Sequence, residues 1–415
     1  MATETATVDV GRALHGLRTL RELTEDADGA QRVAWTDTWA TARRWLHEEL
    51  AAIDGVEVER DEAGNVWATA AGESERAVLI GGHLDSVPNG GWLDGALGTV
   101  SALEILRALA AQPRGLSVTL VDWADEEGAR FGRSLFGSSA AAGTLDVSAV
   151  SGLTDRDGIT LPDALAAHGV ELHGVLAAGR RLENAVAYLE LHIEQGPVLE
   201  AMELPLGVVL GTFGVQRHAV RFAGAHAHAG ATPMNRRSDA FLAAARSALA
   251  FRDDAAARED VRATTGVVKV SPGIVTAFNG RCELSLDQRA LDPDVLGEML
   301  AQARASSQQL AADEHCTVSW ERLWEIEPIP FDRELIEIAD AVVTEIAGQS
   351  HRLPSGPLHD AAEMARRLPT VMLFVKSLGG VSHTSAEDTP IEDLELAVRA
   401  HYELARRTLA WARER

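Results

Sequence analysis

Four short apolar runs of this chain each end at a histidine or a carboxylate, and that pattern limits the folds open to it. Ala77-Val78-Leu79-Ile80 leads through two glycines to His83, Asp85 and then Asp94. Ser117-Val118-Thr119-Leu120-Val121 leads to Asp125-Glu126-Glu127-Gly128. Val186-Ala187-Tyr188-Leu189 leads to Glu190, His192 and Glu194, and Val371-Met372-Leu373-Phe374-Val375 leads to Ser382-His383. Apolar runs of this length, bounded by glycine, read as buried strands. Buried strands of an open α/β sheet present their carboxyl ends as a binding crevice.

The residues at those ends suit a cation. An imidazole binds the ion, and a carboxylate two residues on orients the imidazole; a lone His-x-Asp is also an ordinary surface or capping pair. Adjacent carboxylates at a strand end repel each other, which a cation relieves; a solvated acidic turn is the alternative for Asp125-Glu126-Glu127. Strand alternation places Glu190, His192 and Glu194 on one face. The recurrence at four strand ends points to one shared metal centre.

The alternation of helix and strand signals up to about residue 211 predicts an α/β fold, a mostly parallel sheet with helices on both faces. Residues 8–55 read as two amphipathic helices around a Gly29-Ala30-Gln31-Arg32 turn. Residues 97–111 read as a helix, 117–123 as a strand and 135–143 as a helix. The middle differs: its order β-α-β-β-α-β is that of a compact sandwich. Its strands are expected at 218–222, 266–271, 282–290 and 317–323, with a helix at 293–313. Another helix runs to about residue 252, with Thr232 as N-cap and Pro233 at its first position. The expected organisation is one domain over 1–214 and 328–415, interrupted by an inserted domain over 215–327. Pro328-Ile329-Pro330 forms a stiff return.

A chain of 415 residues with 46% hydrophobic residues can build such a core. Its formal charge of −24 argues against nucleic acid and anionic membrane surfaces as partners. Cys282 and Cys316 read as small apolar residues of strands, with no disulfide framework. Met1-Ala2-Thr3-Glu4-Thr5 is acidic and polar, unlike a secretory leader, and no apolar run reaches about 18 residues. A cytoplasmic protein is the expectation.

His83-x-Asp85, Asp94-Gly95, Asp125-Glu126-Glu127-Gly128, His192-Ile193-Glu194-Gln195-Gly196-Pro197, His228-Ala229-Gly230-Ala231-Thr232-Pro233-Met234 and Ser382-His383 follow one another along the chain. In that order they resemble the amidase/hydantoinase-carbamoylase branch of the M20 metallopeptidase family, over nearly the whole chain from about Leu17. The resemblance implies hydrolysis of a linear amide, foremost by an N-carbamoyl-L-amino-acid amidohydrolase releasing amino acid, carbon dioxide and ammonia. Allantoate amidohydrolase or another ureide hydrolase is the nearest alternative. An N-acyl-amino-acid deacylase or peptidase is a third, opposed by His192, where wider members carry a carboxylate. An inactive metal-binding paralogue would lack a ligand or Glu126, and neither is missing.

The same resemblance assigns roles. The domain over 1–214 and 328–415 matches the family's catalytic domain, and the insertion over 215–327 its lid and dimerisation domain. Two divalent ions, zinc or else manganese, cobalt or nickel, are held by His83 and His192 on one and by Glu127 and His383 on the other, with Asp94 bridging. Glu126 is the general base. Asp85 supports His83, and His359 with Asp360 forms another supporting pair, a helix start at Asp360 being the alternative. His228 stabilises the oxyanion, often in the partner subunit's site, which implies a homodimer; a turn histidine bonded to its own loop is the alternative, and His226 reads as surface. Arg289 takes a substrate carboxylate, Gln195 the carbamoyl group, and Arg217 is a weaker substrate contact. Thr276 stands where the family has asparagine in an Asn-x-x-Pro-Gly string, and Asn279 where it has the proline. Threonine lacks the paired donor and acceptor of an amide, so the substrate is expected to depart from an ordinary N-carbamoyl α-amino acid.

Overall fold

The computed structural model describes residues 7–112 and 114–415, so the Met1-to-Thr5 segment read above lies outside the described residues. The strands that matter here are β1 Val56–Arg60, β2 Val66–Ala70, β3 Ser74–His83, β4 Leu116–Trp123, β5 Ala185–Ile193, β6 Leu206–Thr212, β7 Gly214–Ala223, β8 Arg262–Thr264, β9 Val268–Ser271, β10 Arg281–Ala290, β11 Thr317–Ile326, β12 Arg352–Ser355 and β13 Thr370–Val375. The chain divides into two compact units, Gly211–Pro330 and the remainder. Those limits lie a few residues outside 215 and 327: β7 starts at Gly214, and Gly211 and Thr212 pair with Pro330 and Ile329 at the other end of the unit.

In the larger unit the order across the sheet is β6-β13-β5-β3-β4-β2-β1, with β12 also pairing β6. The centre, β13-β5-β3-β4, is parallel, whereas β2, β1 and β6 pair antiparallel. Every residue of β4 and of β13 is buried. Successive side chains point to opposite faces, so both faces of this sheet are covered, which is why the strands read as unbroken apolar runs. The helix Ala96–Ala110 packs on β3, β4 and β5, and Ile391–Arg413 on β3, β5 and β13. The four functional segments leave the carboxyl ends of the four parallel strands. Among the described residues no helix is long and apolar enough to cross a membrane.

The Gly211–Pro330 unit is a two-layer sandwich. Its strands, in the order β8-β10-β7-β11 with β9 also on β10, are all antiparallel. Beyond Arg281, β10 alternates buried and half-exposed residues, the mark of a sheet with one covered face. Val220, Phe222, Leu284 and Leu286 meet Ala243, Ala244 and Phe251 of the helix Ala240–Ala256 in its core. The strand β8 has no counterpart in the sequence-based expectation, being only three residues long. Cys316 immediately precedes β11 rather than lying in it, and both cysteines are free.

One helix start differs from expectation. Pro233 is extended and is followed by a short 3-10 turn, Met234–Arg236. The helix begins at Ala240, where the Asp239 carboxylate accepts the amides of Phe241 (3.1 Å) and Leu242 (3.4 Å). Asp239→Ala should therefore lower the unfolding free energy by about 1 kcal/mol in denaturant titration. Thr232→Ala should change it by much less; the reverse ranking would reject Asp239 as the cap.

Candidate metal centre

His83 ends β3 and His192 lies near the end of β5, both buried. Each ring is held from behind by a backbone carbonyl. His83 Nδ1 is 3.0 Å from the Asp85 carbonyl oxygen and His192 Nδ1 is 2.9 Å from that of Ile193. The Nε2 atoms therefore converge on one oxygen of Asp94, at 3.6 and 3.2 Å from Oδ1. The other oxygen serves a second group: His383 Nε2 lies 3.4 Å from Asp94 Oδ2 and 3.5 Å from Glu127 Oε2. Two potential ligand sets, His83–Asp94–His192 and Asp94–Glu127–His383, thus share one carboxylate, and within each set the ligand atoms lie within 4.8 Å of one another. Gly95 makes the approach possible: its φ is +65°, and a Cβ there would sit 2.3 Å from the His83 ring.

Glu126 Oε2 stands 3.7 Å from His83 Nε2. Asp85 supports this corner differently from the expectation. His83 bonds its backbone carbonyl, while its carboxylate accepts the amides of Glu126 (3.2 Å) and Glu127 (3.0 Å) and so sets the turn that carries both glutamates. Its Oδ1 remains 3.6 Å from His83 Nδ1. Asp125 in that turn is left-handed, φ 58°, with Trp35 Nε1 donating to its carboxylate at 2.8 Å.

Gln195 (φ 56°) and His383 (φ 60°) are left-handed too. Gln195 Nε2 donates to Asp94 Oδ2 at 2.8 Å and lies 3.2 Å from both Ser382 Oγ and His383 Nε2. The residue expected at a carbamoyl group here braces the shared aspartate. Glu194 lies beyond β5 and accepts the amides of Val198 and Leu199. Glu190 accepts from the Tyr188 hydroxyl and the Ala361 amide, both at 2.9 Å. His359 is buried with its ring 4.4 Å from that of His192. Asp360 follows it, fully buried, in the first turn of a short helix.

Two residues escaped the sequence reading. Glu387 is buried and accepts the amides of Leu93 (3.1 Å) and Asp94 (3.0 Å). Arg32, read as a turn residue, is fully buried and donates to the Leu84 carbonyl at 2.8 Å.

The electrostatics match a cation site. Burial would raise Asp94, yet His192, His383 and His83 pull its carboxyl well below the usual range. Burial, joined by the other carboxylates, pushes Glu126 and Glu127 well up. Burial also lifts Asp125 to about 8 and Glu190 to about 7. Burial lowers His192, but the charge and hydrogen bond of Asp94, the Glu190 charge and the Ile193 carbonyl together outweigh it and bring the ring to about 9. His83 Nε2, His192 Nε2 and Glu127 Oε1 are buried without a hydrogen-bond partner. Converging carboxylates beside orphaned imidazole nitrogens form a donor set that fits divalent ions.

The Gly211–Pro330 unit carries the remaining candidates. His228 Nδ1 accepts the amides of Gly230 (3.1 Å) and Ala231 (3.2 Å), so its own loop holds the ring and the proton resides on Nε2. Arg289 of β10 and Arg217 of β7 both bind Asp287, through Arg289 Nε at 2.9 Å and Arg217 Nη2 at 2.7 Å. Thr276 contributes its carbonyl oxygen to the Ala229 amide at 2.8 Å. His226 is exposed.

Residues 79–407 match Peptidase family M20/M25/M40. The chain belongs to this family. It is 34% identical over 354 residues to an N-carbamoyl-L-amino acid amidohydrolase of Geobacillus stearothermophilus, covering 84% of this chain and 86% of the relative. It is 32% identical over 378 residues to an allantoate amidohydrolase of Bacillus subtilis, covering 90% and 91%. A crystal structure of an amidase of the hydantoinase/carbamoylase family from Burkholderia phymatum superposes with a TM-score of 0.86 at 31% identity, covering 99% of this chain and 100% of that one.

Groups whose protonated form the fold favours contribute stability that is present below their ordinary values and lost as pH rises through their folded values. Asp125, Glu126, Glu127, Glu190 and His192 all carry that sign. Above the range where the lowered His83 and His359 act with the opposite sign, chelator-treated protein should therefore melt at falling temperature from about pH 7 to about pH 9, and added divalent ion should reduce the fall. A melting temperature that rises over this range in chelator would contradict the assignment.

Proposed function

We propose that this protein is a metal-dependent hydrolase of linear, non-peptide amides, foremost an N-carbamoyl-L-amino-acid amidohydrolase with two divalent ions per chain. The observation that carries the reading is the pair of ligand sets sharing Asp94, with Glu126 beside them. The names of the relatives support carbamoyl and ureide substrates. Allantoate is the second reading, favoured by the relative from Bacillus subtilis.

Bound ions would supply Lewis acidity to the amide carbonyl and the attacking water. His83 and His192 would hold one, Glu127 and His383 the other, and Asp94 both. Zinc, manganese, cobalt and nickel all suit imidazole and carboxylate donors. Glu126, whose buried carboxyl is held well above its ordinary range, takes the proton of the attacking water and returns it to the leaving nitrogen. Water and a carbamoyl amino acid then become amino acid, carbon dioxide and ammonia. Asp85 holds the turn of Glu126 and Glu127, and His359 backs the His192 ring.

The family resemblance supports the other roles. His228, with its proton on Nε2, donates to the developing oxyanion. Arg289 pairs with a substrate carboxylate, Arg217 and Asp287 hold it in place, and Gln195 and Thr276 face the substrate amide. A homodimer through the inserted domain belongs to the same reading. The strand β9 supports it, its four residues all exposed and two of them, Val268 and Val270, apolar on an outer strand. A cytoplasmic site of action belongs to it as well.

The test is ammonia release from metal-loaded protein on N-carbamoyl α-amino acids, N-carbamoyl-β-alanine and allantoate, with a chelated control. Chelator-sensitive release on one class supports the reading and selects the substrate; silence across the panel with metal bound rejects it. Glu126→Gln should keep its metal and lose about 100-fold or more in turnover; near-normal turnover removes it as base. Arg289→Ala should raise KM about 10-fold or more for substrates with a free carboxylate and leave their esters unaffected. Equal losses on both would reject the carboxylate contact.

A further inference from the structure

The two ligand sets are built with unequal support. His83 and His192 sit on the central strands, and each ring is fixed by a backbone carbonyl. His383 sits on a loop after β13, half-exposed and left-handed, and Glu127 lies just beyond β4. What steadies the second set is a buried carboxylate further along that loop.

Glu387 Oε1 accepts the amides of Leu93 and Asp94, and its Oε2 is 2.9 Å from the Ser382 hydroxyl. That hydroxyl is also 2.9 Å from Asp94 Oδ2, the oxygen that faces His383. One carboxylate therefore ties the backbone of the shared aspartate to the loop that carries His383. Asp388 adds a stitch, accepting from the Trp92 indole at 3.3 Å. Gly91 leaves the room: a Cβ there would lie 2.1 Å from the Glu387 carboxyl. Glu387 Oε1 carries two backbone amides and Oε2 faces the Ser382 hydroxyl, and Glu387 belongs to neither ligand set.

We propose that Glu387 is the positioning residue that assembles the Asp94–Glu127–His383 ion site, whereas His83–Asp94–His192 forms without it. This rests on the two-ion reading above. Losing Glu387 frees the His383 loop and Asp94 Oδ2; it leaves the strand-borne histidines and their hold on Oδ1. Removal of partners behind metal ligands typically weakens affinity by 10- to 100-fold, and here the loss should fall on one ion.

The full-length protein, stripped with chelator, is titrated with Mn2+ by calorimetry, and its metal content is measured after desalting. Wild type should take two equivalents. Glu387→Ala should keep the first near its wild-type affinity and bind the second about 10- to 100-fold more weakly. The spin-coupled two-ion EPR signal should be lost with it. Glu387→Gln should restore the second ion to within a few-fold of wild type. Its amide oxygen can still accept both backbone amides, and its amino group can donate to Ser382, leaving the serine hydrogen for Asp94. Two wild-type equivalents in Glu387→Ala overturn the proposal, as does equal loss of both ions. If wild type itself takes fewer than two, the two-ion reading fails first, and that outcome is distinct. Should Glu387→Ala not fold, Ser382→Ala carries the test: it must weaken the second ion selectively, and unchanged binding overturns the proposal.

Discussion

The structure of the candidate site depends on one buried carboxylate being shared. Asp94 Oδ1 faces His83 and His192, and Oδ2 faces His383, Gln195 and Ser382. A carboxylate in a buried place is held ionised only by what surrounds it, and three imidazoles do so here. Every other feature is arranged around that point: Gly95 removes a side chain from the path of the His83 ring, and Glu387 grips the backbone on the amino side.

The scaffold supplies rigidity where the ligands need it and strain where the loops must turn. Parallel strands buried on both faces fix His83 and His192. By contrast, Asp125, Gln195 and His383 adopt left-handed backbones that cost roughly 1–2 kcal/mol each for residues with a Cβ. Such conformations persist only where the surroundings over-determine them. Here the Trp35 indole, the Asp94 carboxylate and the Ser382 hydroxyl do so. The Gly211–Pro330 unit is built on other terms, an antiparallel sheet with one covered face, on which Asp287 holds Arg217 and Arg289.

Much of this was legible in the residues. The four apolar runs are strands, and the histidines and carboxylates at their ends come together, because a run buried on both faces is mostly apolar at successive positions. Glu387 was not legible. It lies in a polar stretch, Thr384-Ser385-Ala386-Glu387-Asp388, where an acid looks like a solvated loop residue. Arg32 was hidden for the same reason. Asp85 was read as a partner of the His83 ring, because spacing relates it to its neighbour and says nothing of the Glu126–Glu127 amides beside it. Thr232-Pro233 imitated a helix start, since cap and proline preferences are local, whereas the start at Asp239 depends on where the chain leaves the two-stranded pairing of residues 227–228 with 277–278.

By itself the sequence determined the fold class, the family and which residue types gather at the strand ends, since hydrophobic periodicity and motif order are properties of the chain alone. Only the tertiary structure decided how they are shared: that Asp94 divides its two oxygens between two ligand sets, that Asp85 holds the Glu126–Glu127 turn with its carboxylate as well as the His83 ring with its carbonyl, and that Glu387 links loops nearly three hundred residues apart. Those outcomes rest on distances between segments remote in sequence, and hydrogen bonds form across space regardless of spacing along the chain.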